Sequence, residues 1–134
     1  ILPGGGTAFV RAEKAVQKLI DSGDLEGDRL LGAKVVLGAL SVPLKTIANN
    51  AGYEGDVIVR RIRKAARNIG FDAARGAEAD MFEAGIVDPT KVSRSALQNA
   101  VSVACLLMST DTLVANAPED DTDDAMGGGM DGDF

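Results

Sequence analysis

Three consecutive glycines near the N-terminus could bring the backbone against a ligand. Gly4, Gly5 and Gly6 directly precede a stretch with helical apolar spacing. Glycine lets the main chain approach a ligand or another segment closely, and the N-terminus of a helix favours negatively charged groups. A flexible hinge uses the same residues, so the glycines alone leave both interpretations open.

The carboxylate of Asp88 is a second group that could bind a ligand. Pro89 directly follows it. Aspartate caps a helix by accepting backbone hydrogen bonds, and proline suits the first helical position, where a missing N–H loses no partner. We therefore expect Asp88 to be an N-cap and Pro89 to begin a helix. A carboxylate has several acceptor sites, so Asp88 could cap the helix and bind a ligand as well.

Composition excludes several kinds of chemistry. The 134-residue chain has no histidine, which rules out His-based catalysis and most zinc sites. Its single cysteine, Cys105, cannot form a disulfide within the chain, which fits a reducing compartment. Residues 117–134 hold seven acidic residues and no basic one, so the rest of the chain is nearly neutral. A neutral body with an acidic tail is not expected to bind nucleic acid.

Helical periodicity predicts most of the elements that would position these residues. Apolar spacing and turn residues predict four helices in the first half of the chain: residues 7–20, a helix capped by Asp28, residues 42–51, and a helix beginning near Asp56. The basic residues between 60 and 67 predict a solvated helix face. Residues 68–72 alternate and contain glycine, which predicts a strand or hairpin arm, and residues 77–84 are expected to form a short helix.

The longest predicted helix follows Pro89. Two adjacent apolar stripes between Val92 and Met108 predict a helix that is buried on both sides, with Cys105 as a core thiol. After it, residues 112–116 are predicted to form a strand.

The two ends of the chain suggest a segment of a longer protein. The sequence begins at Ile1 without an initiator methionine, and residues 118–134 are predicted to form a disordered acidic tail rich in glycine and methionine. No apolar run approaches the roughly 20 residues that a membrane span needs, and the N-terminus has no basic-then-apolar signal pattern. We therefore expect a soluble chain with no membrane partner.

Five motifs together resemble the group I chaperonins, the GroEL family. They are Gly-Ile-Val-Asp-Pro-Thr-Lys-Val-Ser-Arg-Ser-Ala-Leu-Gln (85–98), Pro-Gly-Gly-Gly-Thr-Ala (3–8), Val-Pro-Leu-Lys-Thr-Ile (42–47), Gly-Phe-Asp-Ala-Ala (70–74) and the Gly/Met stretch (126–130). The motifs follow the family's order and spacing and cover nearly the whole chain. The resemblance implies a mainly α-helical fold: residues 1–117 as the C-terminal segment of the chaperonin equatorial ATPase domain, with a short β-hairpin and a terminal strand.

The family implies an ATP-dependent chaperonin that assists protein folding in two stacked seven-membered rings. ATP or ADP is the implied cofactor, with Mg²⁺ and K⁺ bound by parts of the full protein outside this segment. A co-chaperonin and unfolded client proteins would bind through an apical domain, also outside it. The expected compartment is the bacterial cytoplasm, or else an organelle matrix.

The resemblance implies that this chain contacts the base and the ribose of the nucleotide. A glycine turn touches the nucleotide, a loop of small residues lines the adenine pocket, an aliphatic side chain packs on the base, and a carboxylate accepts from the ribose hydroxyls. The matching residues are Gly4, Gly5, Asp72, Ala73, Ala74, Ile86 and Asp88. Familiar bacterial relatives have asparagine in place of Asp72, although a carboxylate still accepts from an exocyclic amine.

The resemblance also implies subunit contacts. Lys45 and Glu54 match positions that pair across the equator between rings. Leu113, Val114 and Ala115 match a strand that pairs with the sheet of a neighbouring subunit, in keeping with the tendency of an unpaired strand edge to seek another chain.

No phosphate-binding Gly-Asp-Gly-Thr-Thr motif or catalytic aspartate of the family occurs in the sequence. We assign no catalytic residue or metal ligand here and expect the isolated chain to be inactive; magnesium-dependent phosphate release from the purified chain would contradict this. The alternative is a stand-alone helical protein-interaction module without nucleotide turnover. A small self-sufficient hydrolase is disfavoured, because the chain lacks a Walker-type loop, histidine and an acid/base pair.

Overall fold

The computed structural model describes residues 1–112 and residue 114, and it is mainly α-helical, as predicted. The elements in chain order are β1 (Leu2–Pro3), α1 (Thr7–Asp21), α2 (Gly27–Ala39), α3 (Val42–Asn50), α4 (Gly55–Lys64), β2 (Ile69–Asp72), β3 (Ala77–Asp80), β4 (Val87–Asp88) and α5 (Thr90–Met108). The chain divides into two units, Ile1–Asn99 and Ala100–Phe134. The first four helices confirm the sequence prediction to within a few residues.

The core of the first unit lies between α1, α3, α4 and β2. Its buried side chains are Val10, Leu44, Ala48, Ile58, Val59, Ile62 and Phe71. In α4 the buried residues recur at helical spacing, and the basic residues between them are exposed. The predicted solvated basic face is therefore confirmed. It also joins two helices, because the Arg63 guanidinium donates to both Glu13 carboxylate oxygens in α1, at 2.7 and 2.9 Å.

Two small antiparallel sheets flank this core. β2 pairs with β3, from Ile69 opposite Asp80 to Asp72 opposite Ala77, and β1 pairs with β4. The helix expected over residues 77–84 is therefore wrong: residues 77–80 form a strand. Alanine and glutamate favour helix, but tertiary context overrides such propensity, and here the backbone hydrogen bonds between β2 and β3 outweigh it.

Two predicted helix caps are displaced. α2 begins at Gly27 after Glu26, and no side chain caps it, so Asp28 lies in the first turn, where its charge still favours the helix dipole. α5 begins at Thr90, and the Pro89 carbonyl accepts from the amides of Val92 and Ser93, at 3.0 and 3.2 Å. Asp88 is therefore not the cap; its backbone belongs to β4.

The burial predicted for α5 is also wrong. Only Ser93 is buried in this helix, and Leu106, Leu107 and Met108 are exposed, as is Cys105. The two apolar stripes do not indicate burial in this chain by itself. Periodicity reports which faces are apolar but cannot say which molecule covers them.

The segment Gly27–Asn50 passes a length and composition test for a membrane span, contrary to the sequence prediction. The averaged hydropathy tolerates Lys34 and Lys45, which interrupt the apolar run. One segment of this kind is weak evidence for a membrane span, and the structure divides it into α2 and α3.

Two further predictions fall largely or wholly outside the described residues. Leu113, Ala115 and Asn116 of the predicted strand lie outside them, as does the tail, 118–134. Val114 is exposed.

Candidate functional site

The glycine turn and the residues before α5 are joined by a backbone hydrogen bond. The Gly4 amide donates to the Ile86 carbonyl at 2.9 Å. A Cβ atom at Gly4 would lie 3.0 Å from the carbonyl carbon and oxygen of Ile86, tighter than ordinary contact. The pairing of Leu2 with Asp88 continues this contact as a two-stranded sheet. Glycine is therefore needed here for close backbone approach.

Gly5 brings in a third segment. Its φ is +62°, in the left-handed region, and the position of a Cβ there lies 3.7 Å from the Phe71 carbonyl oxygen and 3.9 Å from Ile86 Cγ2. The end of β2, the glycine turn and the residues before α5 thus meet around Gly5. Three of the motifs that the sequence singled out are brought together by the fold.

Asp72 organises the turn between β2 and β3. Its side chain is buried, and its Oδ1 accepts from the Ala74 amide at 3.0 Å and the Arg75 amide at 3.2 Å. Its Oδ2 lies 3.6 Å from Arg75 Nε. Such bonds define an Asx-type turn, and the side-chain oxygen of asparagine could accept them equally. The sequence did not predict this structural role. Contact of Asp72 with a base stays a prediction.

Ala73 and Ala74 differ in exposure. Ala73 packs partly against the core, whereas Ala74 is exposed. Both side chains are single methyl groups, which cover the backbone of this turn less than larger side chains would. Their role in a base pocket also stays a prediction.

Asp88 has an uncommitted carboxylate. The residue is half-buried in β4, and within the described part of the chain its side chain has no hydrogen-bond or ion-pair partner. A carboxylate is an acceptor-only group, and it forms strong hydrogen bonds with hydroxyl donors. Asp88 therefore provides acceptors two residues along the chain from Ile86.

This arrangement suits binding better than bond-making. It provides close backbone, one aliphatic side chain and one carboxylate that has no partner among the described residues, a combination of apolar surface and few polar groups that is typical of small-ligand sites. Among the described residues no cluster of three or more potential metal ligands exists.

A groove lies elsewhere, between α1, α2 and α4. Its volume is about 490 Å³, and it contains none of the residues that the sequence predicted. Two of its cations are already engaged: Arg63 with Glu13, and Arg11 with backbone carbonyls including that of Ile69 at 3.0 Å. We therefore place the candidate site at the three converging segments, which carry an unpaired acceptor.

The predicted subunit contacts lie on the surface. Lys45 Nζ pairs with Asp56 Oδ2 within the chain at 2.7 Å, and both side chains are well exposed. Glu54 is exposed and directly precedes α4. Leu113 and Ala115 are outside the described residues. The contacts between subunits stay predictions.

Two residues near the site carried no functional signal in the sequence. Tyr53 lies against Gly76, which closes the turn after Asp72 with φ +67°. Gly76 could have indicated a hairpin, because a short glycine-containing loop between two arms is typical of one. Nothing local could have placed Tyr53 there.

Comparison with known proteins agrees with this fold. The model of the TCP-1/cpn60 chaperonin family matches residues 1–118. A solved open-state monomer of a group II chaperonin from Methanococcoides burtonii superposes with a TM-score of 0.74 and 23% sequence identity, over 82% of this chain and 28% of that one. At that identity the match shows a shared fold. The chain spans little more than a quarter of that chaperonin's length.

Proposed function

Because the chain belongs to the TCP-1/cpn60 chaperonin family, we propose that it is the adenosine-contacting segment of the equatorial domain of an ATP-dependent chaperonin that assists protein folding. One observation supports this most: the Gly4–Ile86 hydrogen bond and the approach of Gly5 to Phe71 and Ile86 unite three segments that are distant in sequence. Ligand sites commonly combine apolar surface with a few polar groups, and the convergence of these segments brings such groups together.

In this proposal each group has a distinct task. Ile86 packs on the adenine ring, and the free carboxylate of Asp88 accepts from the ribose hydroxyls. Gly4 and Gly5 let the backbone approach the nucleotide. Asp72, Ala73 and Ala74 line the base, with Oδ2 of Asp72 as an acceptor for the exocyclic amine. ATP or ADP is the ligand; hydrolysis, Mg²⁺ and K⁺ belong to parts of the longer protein outside this chain.

Loss of the Asp88 carboxylate tests the proposal. In the full-length protein, Asp88→Ala should weaken ADP binding roughly 10- to 100-fold, because a hydrogen bond to a charged group contributes about 1.5–3 kcal/mol. Asp88→Asn, which keeps one acceptor oxygen, should lose less. Isothermal titration with ADP measures both.

The matched control is Asp28→Ala, an exposed aspartate in the first turn of α2. It should bind ADP like the wild type. Equal ADP affinities for Asp88→Ala and Asp28→Ala would refute the assignment of the ribose contact.

We also propose group I membership, a bacterial cytoplasmic location and two stacked rings of seven subunits. The motif at residues 85–98 and the Gly/Met stretch at 126–130 support the group assignment. Co-chaperonin and client proteins would bind outside this segment.

Native mass spectrometry of the full-length protein counts the subunits, and a ring of any other size would contradict group I. Fractionation of source cells tests the compartment, and recovery in membrane fractions would contradict it.

Contacts between and within rings belong to this proposal. Lys45 and Glu54 would pair across the rings, and residues 113–115 would extend a neighbour's sheet. Reversing one charge, as Lys45→Glu or Glu54→Lys, should separate double rings at low salt, and the double reversal should restore them, because a complementary pair re-forms. Asp56→Ala controls for the pairing of Lys45 within the chain. Paired rings in both single variants, seen by analytical ultracentrifugation, would defeat the assignment.

A helical interaction module without nucleotide turnover is the second candidate. The exposed apolar side chains of α5, such as Leu106 and Met108, favour it, because such patches mark contact surfaces. A thermal-shift titration of the full-length protein with ADP separates the two: an unchanged melting temperature supports the module, and a rising one supports nucleotide binding.

A further inference from the structure

Tyr53 is held rigidly at the end of α3. Its amide donates to the Ala48 carbonyl at 2.9 Å, and the Gly52 amide donates to the Asn49 carbonyl at 2.9 Å. With Gly52 at φ +83°, these two bonds form a Schellman motif, which ends a helix in a defined geometry. The Gly55 amide then donates to the Asn49 side chain at 2.9 Å. The backbone on both sides of Tyr53 is therefore tied to α3.

The side chain of Tyr53 crosses to the hairpin formed by β2 and β3. Its ring meets the Phe71 ring edge to face, with centroids 5.2 Å apart and planes at 75°. Its hydroxyl lies against Gly76, where a Cβ atom would collide with it. Gly76 must therefore be glycine for two reasons, its positive φ and this contact.

The turn that Tyr53 contacts is the one proposed to line the base. Gly76 closes it by donating to the Asp72 carbonyl at 2.8 Å, and the Asp72 carboxylate accepts from the Ala74 and Arg75 amides. These bonds fix the turn internally. At its start, Ala73 packs partly against the helical core, and at its end Tyr53 adds a contact at Gly76 from the loop after α3.

We propose that Tyr53 is a positioning residue that holds the turn at residues 72–76 in register with the glycine turn and links it to the loop carrying Glu54. This inference rests on the proposed function. The coupling acts in both directions. Ordering of the turn at residues 72–76 stabilises the loop between α3 and α4, and an ordered loop stabilises the base pocket. The ligand class is an adenine nucleotide.

The test compares Tyr53→Ala, Tyr53→Phe and the control Leu31→Ala, an exposed residue of α2, in the full-length protein. Tyr53→Ala should reduce the preference for ATP over GTP about tenfold, because the edge-to-face contact and the packing on Gly76 are lost. Tyr53→Phe keeps the ring contact and should recover most of the preference. Leu31→Ala should leave the preference unchanged.

Hydrogen exchange provides the second readout. Addition of ADP should slow amide exchange at residues 51–55 in the wild type and in Tyr53→Phe, but not in Tyr53→Ala. A purely structural role for Tyr53 would lower the melting temperature and leave both the ATP-to-GTP ratio and this protection intact, which would overturn the inference. A wild type that binds no nucleotide would instead overturn the proposed function, and the inference with it.

Discussion

Replacement of Gly6 by alanine should remove about 3 kcal/mol of local stability at the start of α1, through strain and overpacking. Gly6 has φ +78°, a left-handed conformation that costs an L-residue about 1 kcal/mol or more. A Cβ atom would also lie 2.6 Å from the Leu44 backbone nitrogen and 2.9 Å from its Cα. Leu44 is fully buried in the core, so its backbone cannot retreat without disturbing α3.

Gly32→Ala is the matched control for Gly6→Ala. It lies within α2, and a Cβ atom there meets nothing within 4 Å. Alanine in a helix is favoured over glycine by about 0.5–1 kcal/mol, so this variant should gain stability. Native-state hydrogen exchange of α1 and α3 amides in the full-length protein measures both changes. A Gly6→Ala variant whose amides are protected like those of the wild type would contradict the packing described here.

The sequence predicted best the elements whose stabilising contacts are local. The helices α1, α3 and α4 and the strand β2 follow from apolar periodicity and turn residues, which act within a few residues of chain. The helix expected over residues 77–84 failed, because β3 forms through its pairing with β2, a tertiary contact that outweighs weak propensity.

Exposure was harder to predict than helix formation. The stripes of α5 are apolar on two sides, and such a helix was expected to be buried, with much of its apolar surface covered by the rest of a longer protein. Within this chain Val92, Val103 and Leu106 are exposed. A sequence shows that a face is apolar, but it does not show which molecule covers that face.

The candidate site was predictable only in part. Gly4, Gly5 and Ile86 followed from motif resemblance, and the fold brings them together. The turn-forming role of Asp72 and the packing of Tyr53 did not follow. Both depend on three-dimensional neighbours, Ala74 and Arg75 for the first and Gly76 for the second, which no periodicity specifies.

The second large effect is expected in photolabelling. Within this chain, nearly all of the label from a photoreactive nucleotide should be found on the three converging segments. A diphosphate nucleotide with an azide on its adenine ring inserts into whatever residues border the base. Within this chain, labelled peptides from the full-length protein should come from residues 1–6, 70–76 and 84–89. These residues surround Gly5, where the Phe71 carbonyl and the Ile86 side chain approach.

The Ile86→Ala variant tests whether the photolabel depends on the side chain that is proposed to pack on the base. It removes the aliphatic surface beneath the proposed base while leaving intact the Ile86 carbonyl that accepts from Gly4. Label at residues 84–89 should fall, and label at the other two segments should become weaker as the base loses its packing partner.

The most direct measurement of the central claim, that these three segments hold the adenosine of a nucleotide, is the mass-spectrometric map of this label with and without excess ADP. We predict label at residues 1–6, 70–76 and 84–89 that excess ADP abolishes. Label concentrated instead on Lys14 and Lys34 in the groove between α1 and α2, or label that ADP does not displace, would contradict the claim.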